Sequence, residues 1–156
     1  EWADLDQIEL PPSVDENLAG KPHVHKLMKV GQSSYLGVLD ADQRIDYCRF
    51  YAHLHRPVDE KVKRVVDALG APGDPKSLRS KTVIIKTSDH GELGMSHGGQ
   101  RQKAFNAYDE TINVPLIVSN PVMFPEAKTS AAPVSLVDIL PTMAGPVPAG
   151  CAVPCR

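Results

Sequence analysis

The sequence contains few cysteines and no long apolar run. Its 156 residues include three cysteines, Cys48, Cys151 and Cys155, so at least one is unpaired and a dense disulfide framework is excluded. No apolar stretch is long enough to span a bilayer, and the acidic start at residues 1–4 is unlike a signal peptide. We therefore expect no membrane span. The compartment stays open between a secreted or periplasmic location and a cytoplasmic one, because a leader can be removed from a mature chain.

The charges are nearly balanced and mixed along the chain. Seventeen basic and nineteen acidic residues give a formal net charge of -2, and no long basic run occurs. This pattern gives no indication of a nucleic acid partner or of a membrane surface. With 42% hydrophobic residues, the chain is long enough for one domain with a core.

Proline, glycine and apolar periodicity divide the chain into three parts. Residues 1–39 carry scattered charges and no sustained period, which predicts an extended linker or surface segment. Residues 40–144 contain the periodic segments. A long helix is expected first, over residues 40–69, capped by Asp40 or Asp42 and either kinked or split at Pro57. Residues 145–156 are rich in proline and glycine and predict an irregular tail.

Four histidines outside the central stretch are interpreted as structural. His23 and His25 have no cysteine or carboxylate beside them, so we expect them to be exposed loop residues. His53 and His55 are two residues apart on the predicted helix and do not share a face. We expect none of the four to bind a metal.

The central stretch, residues 81–103, combines a predicted strand with polar side chains at its end. Val83 to Ile85 is a short β-branched run that predicts a buried strand, and Asp89 and His90 follow it. Ligands bind at the carboxyl ends of strands in open α/β sheets. Neighbouring residues on a strand point to opposite faces, so both side chains reach one metal only if the strand breaks, which Gly91 favours. An ordinary strand-to-loop turn is the alternative.

Several residues of this stretch have more than one interpretation. Glu92 either accepts a ring N–H of His90 or is a surface carboxylate. His97 lies in a glycine-rich loop and either donates a proton to a leaving group or is a loop residue. Arg101 is expected to be solvated or paired with an acid, and Lys103 offers a flexible point charge to an anion.

Two later segments complete the predicted α/β pattern. Residues 114–118 form a second apolar run, interpreted as a buried strand with Pro115 at its start or at a sheet edge. Residues 134–143 predict a short helix packed on the sheet, with Pro141 near its end.

Taken in order, these motifs resemble the C-terminal half of the catalytic domain of sulfatases, in the alkaline-phosphatase superfamily. The resemblance covers roughly residues 40–144. It rests on the following blocks: Thr87-Ser88-Asp89-His90-Gly91-Glu92, His97-Gly98, Arg101-Gln102-Lys103, Tyr108-Asp109-Glu110 and Val114-Pro115-Leu116-Ile117-Val118. The implied fold is part of an alkaline-phosphatase-like mixed sheet flanked by helices.

The resemblance implies roles for particular residues. Asp89 and His90 correspond to metal ligands, Lys103 to the lysine that contacts substrate, and His97 becomes a candidate acid. Many sulfatases carry an amide where His90 stands, which leaves the metal open between Ca²⁺, preferring oxygen ligands, and Mn²⁺ or Zn²⁺, which accept imidazole. The family's formylglycine forms within Cys-x-Pro-x-Arg. Near the end of this chain Ala152 occupies the cysteine position of that spacing.

The nucleophile and the early acidic ligands are therefore expected from a missing N-terminal part or from a partner chain. We interpret the chain as a fragment of a sulfuric ester hydrolase that acts on a small-molecule or glycan sulfate ester. A phosphonate or phosphate ester hydrolase of the same superfamily is the close rival. The third hypothesis is a non-catalytic binding or structural protein derived from a sulfatase. Under each hypothesis, Cys151 and Cys155 of the tail either pair or stay free.

Overall fold

The computed structural model describes residues 4–145. It divides into two compact units, Glu1–Pro125 and Glu126–Arg156, which are treated separately. Ala152, Cys151 and Cys155 lie outside the described residues, as does the predicted tail after Gly145.

The first helix corrects the prediction for residues 1–39. A 3-10 turn at Leu5–Gln7 is followed by helix α1, His23–Leu36, so His23 and His25 begin a helix rather than lying in a loop. Pro22 precedes α1, and Gly37 ends it with φ +77°, a conformation that glycine adopts without strain.

Helix α2, Ala41–Ala68, begins where predicted and is not split into two helices, whereas the predicted kink at Pro57 stays a prediction. Asp40 caps it, with its carboxylate accepting from the Gln43 amide while the Gln43 side chain returns to the Asp40 amide. Pro57 lies inside one continuous helix of 28 residues, so the prediction of two helices is wrong. Two of the apolar side chains at helical spacing on α2 are partly exposed, Tyr51 at 39% and Val58 at 54%.

The sheet within the described residues has two short strands. Strand β1, Ile84–Lys86, pairs antiparallel with β2, Ile117–Ser119, with Ile85 opposite Val118. Both runs were predicted to be buried. That prediction is wrong, because Ile84 and Ile85 are half-buried and most of residues 114–118 are exposed. The result is an α/β arrangement with a much smaller sheet than the resemblance implies.

Polar contacts fix the short helix α3, Leu78–Lys81, to the end of β2. The buried Arg79 guanidinium donates to the Ser119 hydroxyl at 2.5 Å. The Asn120 amide donates to the carbonyls of Ser80 and Thr82 at 3.2 and 3.0 Å. These bonds hold the chain that enters β1 against the chain that leaves β2.

Two helical turns lie between the strands, and the apolar core is small. They are α4, Ser96–Gly99, and α5, Asp109–Ile112. Among the described residues, the buried apolar side chains are Leu18, Leu93 and Met95. The polar loops around α4 therefore surround the best-buried part of the unit.

The described part of the second unit contains one helical segment. A 3-10 turn at Leu136–Asp138 leads into α6, Ile139–Ala144, close to the predicted helix over residues 134–143. Pro141 lies in the first turn of α6, where proline is tolerated. Across residues 4–145, no helix combines the length and apolar character needed to cross a membrane.

Candidate functional site

Asp89 and His90 lie side by side where the chain leaves β1. The strand ends at Lys86, and His90 Nε2 lies 3.5 Å from Asp89 Oδ2. His90 Nδ1 is 2.9 Å from the Gly91 carbonyl. A proton donated from Nδ1 to that carbonyl leaves the Nε2 lone pair beside the carboxylate, the form in which imidazole binds a metal. We name residues 87–91 the Asp89 corner.

Gly91 supports the corner for a reason that the sequence did not indicate. Its amide donates to the Thr111 carbonyl at 2.8 Å, and a Cβ there would lie 2.0 Å from the Glu110 carbonyl oxygen. A side chain at this position would therefore separate the corner from α5. The requirement for glycine comes from this close approach.

The corner presents two candidate donors for a metal ion, the Asp89 carboxylate and the His90 imidazole. Within residues 4–145, no group of three or more His, Cys, Asp or Glu side chains is arranged to hold an ion. One carboxylate and one imidazole fit part of the shell of Mn²⁺ or Zn²⁺, and the carboxylate also suits Ca²⁺. The Asp89 side chain is 83% exposed, so its oxygens are accessible to a metal ion whose other ligands come from elsewhere.

Lys103 is held by Glu92. The two side chains form an ion pair of 3.1 Å, and each is mostly buried. The other Glu92 oxygen accepts from the Leu93 amide at 3.1 Å. Neither predicted interpretation of Glu92 is correct, because it contacts Lys103 rather than His90 and is not a free surface carboxylate.

A buried glutamine that sequence analysis missed fixes the backbone before Lys103. Gln32 of α1 is 2% exposed, and its Oε1 accepts from the amides of Arg101 and Gln102 at 2.8 and 3.0 Å. Its Nε2 donates to the Gln102 carbonyl at 3.1 Å. The buried Gln100 amide group donates to the His97 carbonyl at 2.9 Å. We name residues 95–103 the His97 loop.

His97 lies between two carboxylates. Its Nδ1 is 2.8 Å from Glu16 Oε2, and its Nε2 is 3.1 Å from Glu110 Oε2. The ring stacks on Tyr108 at 3.6 Å between centroids, and the backbone adopts φ +52°. Both nitrogens donate at once only in the imidazolium form. The glycine-rich loop gave no signal for either glutamate.

The acids around this ring have shifted pKa values. The hydrogen bond from His97 lowers the pKa of Glu16, against the opposing effect of burial. Burial acts to raise the pKa of Glu110, but hydrogen bonds from its own backbone and from His97 outweigh burial and lower it. Burial, together with Glu16 and Glu110, raises the pKa of Tyr108.

Three other predicted residues have specific partners. His25 Nδ1 lies 2.8 Å from the Tyr108 hydroxyl, so His25 joins α1 to the His97 ring stack. The Arg101 guanidinium is partly exposed and donates to the carbonyls of Leu36 and Gly37, and within the described residues it forms no ion pair with an acid. His55 contacts the Tyr51 carbonyl of its own helix at 2.9 Å, in line with a structural role.

Cys48 is a free thiol whose Sγ lies 3.6 Å from the Gly94 carbonyl. Burial raises its pKa, which disfavours the reactive thiolate. It takes no part in the candidate site.

A family model described as Sulfatase matches residues 13–147. The chain is 33% identical over 135 residues to the uncharacterized sulfatase YidJ of Escherichia coli, which covers 86% of this chain and 25% of the relative. It is 37% identical over 94 residues to arylsulfatase K of Gallus gallus, covering 60% of this chain and 16% of the relative. The human arylsulfatase K is 41% identical over 66 residues, or 42% of this chain and 12% of the relative. No solved structure matches the chain.

Proposed function

The chain belongs to the sulfatase family, and from this premise we propose that it carries part of the metal and substrate site of a sulfuric ester hydrolase. The observation that carries the proposal is the pairing of Asp89 with His90 at 3.5 Å where β1 ends. Because the chain spans about a quarter of YidJ and a sixth of chicken arylsulfatase K, the activity is proposed for the longer protein.

Asp89 Oδ2 and His90 Nε2 would hold a divalent metal as two of its ligands. A bound metal would supply positive charge that offsets the charge developing on a transferring sulfuryl group. The remaining ligands and the formylglycine nucleophile are proposed to come from the missing N-terminal part or from a partner chain. The exposure of Asp89 is consistent with a shell completed from outside these residues.

Lys103 is the proposed substrate-binding and catalytic cation. Its ammonium would donate to a sulfate oxygen and stabilise the charge that grows in the transition state. Glu92 holds the ammonium in place while the site is empty. Because both side chains are mostly buried, this pair is screened less by solvent than an exposed one.

His97 is the proposed acid for the departing alcohol. His97 Nε2 lies 3.1 Å from Glu110 Oε2, so protonation of a leaving group would require the Glu110 side chain to move away. Glu16 on the opposite nitrogen keeps the ring oriented during that exchange.

Phosphonate or phosphate ester hydrolysis is the second candidate. The observation that favours it is His90, an imidazole where many sulfatases carry an amide, since imidazole suits transition ions. A non-catalytic role is the third, and it draws on the absence of a three-ligand group in residues 4–145.

The test is turnover of an aryl sulfate and an aryl phosphate by the full-length protein, before and after EDTA. We expect sulfate ester turnover that EDTA abolishes and a divalent metal restores, and that falls at least about 100-fold in His90→Leu. Asp59→Asn, which changes an exposed acid on α2, is the matched control. Faster phosphate turnover would transfer the proposal to the second candidate. The absence of turnover on both esters would leave the non-catalytic role.

A further inference from the structure

A small pocket beside the His97 loop combines three cations with one acid. Its volume is about 160 Å³. Segments from the N-terminal region, from α1 and its connection to α2, and from the His97 loop form its walls. The charged residues among its lining are Asp15, Lys29, Arg44 and Arg101.

The pocket concentrates positive charge on a chain whose formal net charge is -2. Asp15 is the opposing acid in the lining, and its side chain is 83% exposed where it pairs with Arg44 at 3.0 Å. An ion pair this exposed contributes little and is easily exchanged for another anion. The lining therefore favours an anionic ligand.

Backbone carbonyls hold the two guanidinium groups in fixed positions. Arg101 donates to the carbonyls at the end of α1, and Arg44 Nε donates to the Leu39 carbonyl at 3.2 Å. A guanidinium carries five N–H donors, so each keeps donors beyond these bonds. Such pre-positioned forks match the oxygens of sulfate and phosphate groups.

Gly98 makes room for the third cation. A Cβ at this glycine, whose φ is +83°, would lie 2.7 Å from Lys29 Nζ. Within the described residues, the one hydrogen bond of that ammonium is a 3.5 Å contact with the Glu16 carbonyl. Lys29 is therefore placed at the pocket with most of its donor capacity uncommitted.

The size of the pocket limits its ligand. Pockets that bind drug-sized ligands have volumes of about 300–1,000 Å³, whereas one water molecule takes up about 30 Å³. A volume of about 160 Å³ suits one tetrahedral oxyanion with a few waters. We propose that this pocket binds a sulfate or phosphate group between Lys29, Arg44 and Arg101.

Two sources would supply that group: free inorganic sulfate or phosphate, and a second anionic substituent of a substrate held at the Asp89 corner. The binding itself is independent of the proposed function, whereas the substrate source depends on it. A sugar that carries two sulfate groups is the probe for the second source.

The experiment is calorimetric titration of the full-length protein with sodium sulfate at constant ionic strength. It is performed after EDTA treatment in a Lys103→Ala background, so that sulfate at the proposed active site does not contribute. We expect saturable binding that Lys29→Gln weakens by about tenfold. Lys26→Gln, an exposed lysine on the same helix, should leave the affinity unchanged.

Asp15→Asn provides a gain-of-affinity test that misfolding cannot imitate. Removing the competing carboxylate should tighten sulfate binding by about threefold or more. The proposal is overturned by an absence of saturable heat, or by equal affinities in the parent protein, Lys29→Gln and Asp15→Asn. Equal weakening in Lys29→Gln and Lys26→Gln would also overturn it.

Kinetics with intact Lys103 then separate the two sources. If Lys29→Gln raises KM for a disulfated sugar but not for a monosulfated aryl ester, the ligand is the second group of the substrate. Unchanged KM values for both, with sulfate binding retained by calorimetry, assign the pocket to a free oxyanion. A protein without hydrolase activity still gives the calorimetric result, so failure of the proposed function and failure of the pocket are distinguishable.

Discussion

The Asp89 corner and the His97 loop lie close in sequence but are supported differently. The hydrogen bonds of the Asp89 and His90 side chains stay within the corner, and Asp89 is exposed. The His97 loop receives bonds from Gln32, which lies about 70 residues earlier, and ion-pair contacts from Glu16 and Glu110. The side chains proposed to contact substrate are thus held by distant parts of this chain. The side chains proposed to bind the metal are held by neighbouring residues of the corner alone.

This difference fits a site assembled from several parts of a longer chain. A metal shell is completed only when all ligands meet, so donors awaiting partners must remain accessible. Groups that stabilise charge in a transition state act best when their positions are fixed in advance.

The largest effect is expected from Lys103→Ala in the full-length protein. Loss of the proposed substrate-binding cation should lower kcat/KM for an aryl sulfate by about 10²–10³, as for loss of one oxyanion donor. Metal content should stay unchanged, because the corner is intact. Lys76→Ala is the control variant. The Lys76 side chain is exposed and makes no hydrogen bond within the described residues. Parent-like kcat/KM in Lys103→Ala would remove this lysine from the site.

The second effect is expected from Gln32→Met, which keeps the volume but removes the bonds to the His97 loop. Two part-buried backbone amides, those of Arg101 and Gln102, would lose their acceptor. Each unsatisfied group costs about 1–3 kcal/mol, so unfolding by urea should occur at a clearly lower midpoint. Because the loop positions Lys103, Gln32→Met should also lower kcat/KM. Gln32→Glu retains the acceptor oxygens and should recover part of that loss.

Gln102→Met is the control for that substitution, because the Gln102 side chain makes no hydrogen bond within residues 4–145. Equal midpoints in Gln32→Met and Gln102→Met would show that the loop does not depend on Gln32. A lowered midpoint with unchanged kcat/KM would separate the stability of the loop from the positioning of Lys103.

A smaller effect is expected on the acid limb of stability. The folded-state pKa values of Glu16 and Glu110 are lowered, so their contribution is present above their unfolded pKa near 4.5 and is lost as pH falls through the lowered values. Glu16→Gln should make the free energy of unfolding depend less steeply on pH below about 4.5. The total loss of stability at higher pH should be less than about 1 kcal/mol. Urea midpoints measured from pH 3 to 6 test this. An unchanged slope would contradict the arrangement around His97.

The smallest effect on turnover is expected from Glu92→Gln. Removing the carboxylate frees the Lys103 ammonium from its partner, so KM for a sulfate ester should fall by a few-fold while stability changes by about 1 kcal/mol. Steady-state kinetics with an aryl sulfate measure this. A rise in KM would mean that Glu92 is needed to orient Lys103.

Sequence patterns predicted the features that depend on local chemistry. The Asp40 cap, the strand at Ile84–Lys86 and the helical segment before Gly145 follow from capping, β-branched residues and apolar spacing. The end of β1 before Asp89 was also expected, although the reason for Gly91 was not. These signals come from residues close together in the chain.

Helix α1 was missed because the side chains with which it contacts the rest of the unit are polar. His25, Lys29 and Gln32 recur at helical spacing and make the contacts with Tyr108, Glu16 and the His97 loop, while Leu27 and Val30 are exposed. A search for apolar periodicity cannot find such a helix. The roles of Glu16 and Gln32 were missed because their partners lie about 70 to 80 residues away in the sequence.

The burial of the strands was overestimated because apolar runs imply a neighbour that residues 4–145 do not supply. Ile117 is 52% exposed on the face of a two-stranded sheet. The match to YidJ spans 25% of that relative, and an exposed apolar face of this kind is normally covered by a neighbouring element. The expected mixed sheet remains a prediction.

Metal content tests the central claim most directly. The full-length protein, Asp89→Asn and the control Asp59→Asn would each be purified in parallel and analysed for bound divalent metal by mass spectrometry. We expect one tightly bound ion per chain in the parent and in Asp59→Asn, and its loss in Asp89→Asn. Equal metal content in all three proteins would contradict the assignment of the Asp89 corner as part of the metal site.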